Sequence, residues 1–388
     1  MKEGLVSIVI PVYNGSDFVC EAVESALSQS YEAVEVVVVN DGSTDGGKTR
    51  NCLEPYMDRI VYLEKGNGGV ATALNAGIKV MSGEFFAWLS HDDLFDKDKI
   101  KKQMEAMASK GDKASICAMN YVFFDDSTKE EIASNFQKYY PLNRIVNSIF
   151  LLLWGELHFS SLLFHRSHFD RVGLFNENLK TAQDNDFIFR LLRKQQITFI
   201  PDVGSYVRVH SLSGTSMHKD VVNVENARLY QSMLDALSEE EKACISGSAK
   251  LTEDKLRAIV RSMSPEEETI LGIENAKKSN LVLVGAGGYG RRLNYELISM
   301  GIKPKMFLDN DPGKDGKIIE GTICKRLDKS NISSRDLLVI TNKFPVGFEE
   351  QLESLGVKKY IKKAEIDISV FDGTISKFGM EKEIEVDK

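Results

Sequence analysis

The sequence predicts an α/β protein: a largely parallel sheet in the first half, a helical stretch after it, and a smaller α/β unit at the C-terminal end. Three observations predict it. The runs VSIVIPVYN and VEVVVVNDGS are continuous, β-branched and closed by turn residues. Between them, SDFVCEAVESALSQS is amphipathic at helical spacing. From residue 280 the pattern returns in NLVLVGAGGYGRRLNYELISMGIKPKMFLDNDP, which reads as strand, Gly-rich turn, helix and strand. Strands that are apolar throughout are covered on both faces, and a helix connecting two of them makes them parallel.

Taken in order, MKEGLVSIVIPVYNG has an apolar part too short for a secretory leader and reads as the first strand. Ser16 or Asp17 is placed to cap the helix that follows. IVYLEK, GVATALNAGIKVMSG and EFFAWLSHDD repeat strand, helix, strand, giving four strands with polar residues at their C-terminal ends. In open parallel sheets ligands bind outside those ends, so Tyr13, Asn14, Asp41, Asp92 and Asp93 are expected to face one crevice. The apolar stretch Ile145–Phe164 is interrupted by Glu156 and His158. It falls short of the roughly 20 apolar residues of a membrane span and is expected as a buried or interfacial helix followed by a strand. From about Lys219 to Ser279 the sequence is charge-rich and helix-forming. The expected domains are therefore residues 1–218, a helical connector at 219–279, and residues 280–388.

Composition narrows the class. The 49 basic and 57 acidic residues give a net charge of -8, which argues against a nonspecific nucleic-acid coat. The five cysteines, Cys20, Cys52, Cys117, Cys244 and Cys324, are scattered and lack CxxC spacing. They indicate neither a disulfide framework nor a zinc site, and they point to a reducing cytoplasm.

Adjacent carboxylates at the mouth of an apolar strand, Asp92 and Asp93 in LSHDD, either close a turn or hold a hard cation, and local sequence does not separate the two. Asp41 in VNDGSTD fits an Asx-turn with Gly42 or Ser43 equally well. The second unit's GAGGYG places Gly285, Gly287 and Gly290 at dinucleotide-binding spacing after a strand, with Asp309 about 20 residues on. Only roughly 100 residues remain there, room for one mononucleotide half rather than two. A packing or regulatory role is the stronger reading than a redox cofactor, since no Tyr-x-x-x-Lys pattern is evident.

Five segments in order, VSIVIPVYNG, VEVVVVNDGSTD, GNGGVATALNAGI, FFAWLSHDD and VGLFNENLKTAQDNDFIFRL, resemble the motifs of glycosyltransferase family 2, enzymes of the GT-A fold, over residues 5–216. The resemblance implies a nucleotide-sugar-binding parallel or mixed sheet, a nucleoside-diphosphate sugar donor, UDP-linked in the expected case, and an inverting single displacement. It implies Mn²⁺ or Mg²⁺ at the diphosphate, with Asp93 as metal ligand, Asp92 beside the ribose or metal, and His210 of YVRVHSLSGTS as a further ligand. Asp41 is implied to accept from the nucleobase and Tyr13, after Pro11, to pack on its face. Asn75 is implied at the diphosphate, although Leu74 stands where many relatives carry Arg and Lys65 is only a distant substitute. The base is placed on Asp184, with a plain helix cap as its other reading and Asp186 as the alternative base.

The C-terminal region resembles small Rossmann-like domains attached to sugar-modifying enzymes. The resulting expectation is a cytoplasmic glycosyltransferase of hexosyl or N-acetylhexosaminyl type, at the inner face of the membrane in peripheral contact with it. It would act on a saccharide or lipid-linked acceptor in surface polysaccharide synthesis and bind no nucleic acid. The rivals are a non-catalytic nucleotide-sugar-binding regulator and a redox enzyme using the second domain.

Overall fold

The computed structural model describes residues 2–111, 115–125, 131–210, 219–263, 276–342 and 346–371. The chain divides into two compact units, Met1–Glu225 and Asn226–Lys388.

The first unit is built on a nine-stranded mixed sheet. Its strands are β1 (Lys2–Val12), β2 (Val34–Asn40), β3 (Val61–Glu64), β4 (Gly83–Trp88), β5 (Leu94–Phe95), β6 (Ile116–Asp125), β7 (Glu131–Ala133), β8 (Leu162–His165) and β9 (Thr198–Val209). The order is β3-β2-β1-β4-β8-β6-β9-β5, with β7 on β6. The four strands expected from the sequence form the parallel half, β3-β2-β1-β4. β8 then joins antiparallel to β4 and to β6, and β6 runs parallel to β9.

Continuous apolar sequence makes the parallel half possible. Val6, Ile8, Val9 and Ile10 of β1 and Val36, Val37, Val38 and Val39 of β2 are all buried, so both faces of the sheet are covered. The helix Val70–Val80 lies so close over one face that a Cβ on Gly77 would stand 2.5 Å from Val9 Cγ1. The helix Val19–Leu27 opens on Phe18 with no side-chain cap, and neither Ser16 nor Asp17 serves there. Gly15 O accepts from the amides of Phe18 and Val19 instead, because the chain enters through a tight turn.

The Ile145–Phe164 stretch contains a five-residue buried helix, Phe150–Trp154, and then β8. No helix among the described residues is long and apolar enough to cross a membrane.

The second unit holds helices and a six-stranded sheet. The sheet order is Ile318–Ile319, Thr322–Arg326, Met306–Asp309, Leu281–Val284, Leu337–Ile340, Tyr360–Lys362. All but the antiparallel first pair are parallel. The expected half-fold is thus exceeded: strands of three to five residues fit five parallel strands into the space. Of the expected connector, the helices Glu239–Ser246 and Ala249–Met263 group with this unit, and residues 264–275 lie outside the described ones.

Candidate active site

The loops after β1 and β2 are tied together before any ligand arrives. Asn14, in the left-handed region at φ 48°, accepts from the Thr44 amide at 2.7 Å, and its own amide donates to Ser43 Oγ at 2.9 Å. Tyr13 beside it is 43 % exposed, so its ring offers a face to solvent. Pro11 is buried within β1 opposite Val39 and shapes the strand end.

Asp41 at the end of β2 is buried and gathers the next loop. It accepts from the Gly69 amide at 2.7 Å, the Gly68 amide at 3.1 Å and Lys65 Nζ at 2.5 Å. Lys65 also donates to Gly66 O and Thr72 Oγ1, which commits its ammonium within the loop. Asn75 is similarly engaged: its amide nitrogen donates to Phe175 O and Glu177 Oε1, and its oxygen accepts from the Phe175 amide. This clamp joins the helix Val70–Val80 to the segment that leads toward Asp184.

At the mouth of β4 the two carboxylates separate. Asp93 is 3 % exposed and its Oδ1 accepts from the Arg208 amide at 3.0 Å. Burial, and then the charge of Asp92, push its carboxyl well above the usual range. Asp92 is part-exposed and meets His210 Nε2 through Oδ2 at 2.9 Å. Burial opposes its ionisation, but His91, His210 and a main-chain bond hold its carboxyl below the usual value. The structure therefore turns Asp93 into the sheet and leaves Asp92 and His210 facing each other.

Arg208 organises this corner, and sequence reasoning missed it. Its Nε donates to Asp92 O at 2.9 Å and its Nη2 to Glu21 Oε2 at 2.6 Å. Its guanidinium lies between the rings of Phe18 and Phe124. The available signal was its position two residues before His210, on the same side of a strand.

Asp184 lies in the first turn of the helix Gln183–Leu192. Its Oδ1 accepts from the Asn185 amide at 2.8 Å, and burial pushes its carboxyl up to about 6. Three residues on, Phe187 stacks on Phe175 at 4.4 Å, and Phe175 meets Trp88 at 5.7 Å. An aromatic layer thus connects the Asp184 helix with the strand that ends at the Asp92 turn. Asp186 is paired with Arg190 at 2.6 Å.

In the second unit the Gly-rich turn is packed internally. Gly285 has φ +104°, and a Cβ on Gly290 would stand 2.0 Å from Gly285 O. A Cβ on Gly287 would meet nothing within 4 Å. Asp309 accepts from the Ala286 amide at 2.6 Å and from Lys314 at 3.1 Å, so its carboxylate closes the turn. Arg291, in the first turns of the helix Gly288–Ser299, donates to Arg261 O at 3.0 Å.

A metal is implied by the family resemblance, and the donor set can be tested against it. Among the described residues no group of three or more His, Cys, Asp or Glu is gathered for an ion. Asp92 and His210 form a carboxylate–imidazole pair, which suits a divalent ion completed by phosphate oxygens and water.

In open α/β sheets ligands bind outside the C-terminal strand ends, where Asp41, Asp92 and Asp93 stand here, and with the Asp92–His210 pair and the raised Asp184 carboxyl they make up the candidate site of a group-transfer enzyme. The comparisons agree. The glycosyl transferase family 2 model matches residues 7–173. A glycosyltransferase of Rickettsia typhi is 38% identical over 244 residues, 63% of this chain and 76% of that protein. The chain belongs to glycosyl transferase family 2, and its first unit is the GT-A type mixed sheet. A Rickettsia felis glycosyltransferase is 42% identical over 240 residues, 61% of this chain but only 39% of that protein, so the chain spans well under half of that relative. TuaG of Bacillus subtilis, named as a teichuronic acid biosynthesis glycosyltransferase, is 38% identical over 122 residues, 30% of this chain and 45% of that protein.

Proposed function

We propose that the chain is an inverting, metal-dependent glycosyltransferase that moves a sugar from a nucleoside-diphosphate sugar, read as a UDP-sugar, to a saccharide or lipid-linked acceptor in surface polysaccharide synthesis. The observation that carries this is Asp184. Its carboxyl, lifted to about 6, is ionised at neutral pH yet basic enough to take a proton from an acceptor hydroxyl. Among the described residues it makes no ion pair, whereas Asp186 is held by Arg190.

In this mechanism the acceptor hydroxyl attacks the anomeric carbon opposite the diphosphate. The new C–O bond forms as the bond to the diphosphate oxygen breaks, and the hydroxyl proton passes to the Asp184 oxygen not engaged by Asn185. One displacement inverts the centre. Asp92 and His210 would hold the cation, in place of the Asp93 and His210 pair expected from the sequence. The cation, Mn²⁺ or Mg²⁺, supplies charge neutralisation for the departing diphosphate. Tyr13 offers its exposed ring to the nucleobase, and Asp41 acts by fixing the 65–69 loop that walls the base pocket. The name of TuaG supports the reading of polysaccharide synthesis, and a lipid-linked acceptor would bring the enzyme to the cytoplasmic face of a membrane. The second unit is read as a Rossmann-like accessory domain outside the chemistry.

The test is turnover with a panel of nucleotide sugars in the presence of Mn²⁺ or Mg²⁺. UDP-sugar hydrolysis or transfer is expected. Binding with no turnover of any donor would instead establish a non-catalytic nucleotide-sugar regulator.

A further inference from the structure

The helix Gln183–Leu192 that carries Asp184 has Ala182 at its N-cap, whose side chain has no acceptor. Within its first turn the Asn185 amide goes to Asp184 itself, and the amides of the segment that enters the helix, 180–182, need an acceptor. The acceptor comes from far along the chain. Glu225, on the helix Lys219–Ala236, accepts through Oε2 from the amides of Thr181 at 2.8 Å and Ala182 at 3.2 Å, and from Thr181 Oγ1 at 2.9 Å. The Lys180 amide is shared between Oε1 at 3.0 Å and Oε2 at 3.1 Å. Three consecutive amides and a hydroxyl thus converge on one carboxylate.

We propose that Glu225 is a positioning residue for Asp184: it fixes the start of the base helix and places a permanent negative charge at that helix's positive end. The inference rests on the reading of Asp184 as the base. Burial alone would raise the Glu225 carboxyl, but the amides of Lys180, Thr181 and Ala182 and the Thr181 hydroxyl hold it below the usual range, so it stays charged. A helix N-terminus otherwise stabilises a nearby carboxylate and lowers its pKa. With that end already compensated, desolvation dominates at Asp184.

The other charges near the helix do not serve this purpose. Asp186 and Arg190 pair with each other on the helix itself. The helix Ser167–Val172, packed against it, offers His168, Asp170 and Arg171. Arg171 reaches His168 and the carbonyl of Leu191 at the far end. The helix Phe150–Trp154, also packed against it, carries no charged residue.

The experiment compares wild type, Glu225→Gln, Thr181→Val and Asp184→Asn by pH–rate profile and by ¹³C NMR titration of the Asp184 carboxyl in the full chain. In Glu225→Gln the acidic limb of kcat/KM and the Asp184 titration both move down by about half a pH unit, with donor KM unchanged. Thr181→Val loses one bond and some thermal stability but leaves the limb in place. A limb and a titration that both stay put in Glu225→Gln overturn the proposal. Should that variant not fold, Glu225→Asp, which withdraws the charge by one methylene, must shift both in the same direction by a smaller step, and no shift overturns it equally. Near-normal turnover in Asp184→Asn would remove the base reading, and the NMR titration would still decide the Glu225 relation by itself.

Discussion

Asp92 and His210, 118 residues apart in the chain, meet at 2.9 Å because Arg208 ties the turn after β4 to the end of β9. The main chain of Arg208 holds the Asp93 carboxylate, its guanidinium holds the Asp92 carbonyl, and Glu21 holds the guanidinium from the other side. The corner is assembled from one buried cation and the turn it grips, so the pair is pre-organised for whatever it binds.

This division of labour predicts opposite phenotypes for neighbouring residues. Asp92→Asn and His210→Ala are expected to remove the Mn²⁺ or Mg²⁺ dependence of UDP binding, read by calorimetry with and without chelator, while thermal stability changes little. Asp93→Ala should instead leave the buried Arg208 amide without its acceptor and cost roughly 1–3 kcal/mol of stability. Metal-dependent affinity that survives in Asp92→Asn would return the ligand role to Asp93.

The parallel half of the sheet was legible in the sequence because Val34–Asn40 and the β1 run are β-branched and buried on both faces, a pattern set by local chemistry. The Asp184 helix was legible for another reason, the resemblance of AQDNDFIFRL to the family's acidic motif at a helix start. The antiparallel half was not, since β6, β8 and β9 pair across more than 30 residues and their order depends on tertiary packing. The side-chain partners that the sequence did not show were the distant ones. Asn75 is engaged by Phe175 and Glu177, and Asp93 by Arg208, bonds that span 100 residues or more and leave no local trace. Glu225 holding the entry to a helix 43 residues earlier has no motif at all.

A second prediction concerns Lys99, which is fully buried with Nζ on Gln103 Oε1 at 2.7 Å and on Leu162 O at 3.3 Å, above the Phe95 ring. Burial pulls its ammonium down to about 7. Above that value the folded state has released a proton that the unfolded chain keeps up to its ordinary value of 10.5. Stability should therefore rise with pH from about 7 toward 10.5, by on the order of a few kcal/mol, and the penalty should be complete below 7. Lys99→Met should flatten this rise. Both tryptophans, Trp88 and Trp154, lie in the first unit, so their fluorescence in denaturant reads the transition. An equal pH slope in wild type and variant would exclude Lys99 as its source.

The Gly-rich turn of the second unit gives a third prediction. Because a Cβ on Gly290 would collide with the Gly285 carbonyl, Gly290→Ala should destabilise that unit by roughly 1–3 kcal/mol or more. Sugar transfer is expected to persist. Loss of turnover in a variant whose tryptophan-reported transition is unchanged would show that the second unit takes part in the reaction.

The fourth prediction separates catalysis from stability at one atom pair. A carboxyl raised by burial to about 6 binds its proton more tightly in the folded than in the unfolded state, so its stabilising contribution is present at low pH and is lost as pH rises through 6. At pH 7 the ionised, desolvated Asp184 is therefore a liability to the fold, and Asp184→Asn should leave the Tm unchanged or raise it. Turnover should fall by about 10²–10⁴, because the amide cannot take the acceptor's proton. Donor affinity should hold, since the proposed nucleotide and diphosphate contacts lie on the loops after β1, β2 and β4. The wild-type rate should decline as pH drops through about 6, where protonation removes the base. A folded Asp184→Asn enzyme that transfers sugar at near wild-type rate would place the base elsewhere. Asp186 would then have to leave Arg190 to serve, and Asp186→Asn is the variant that decides it.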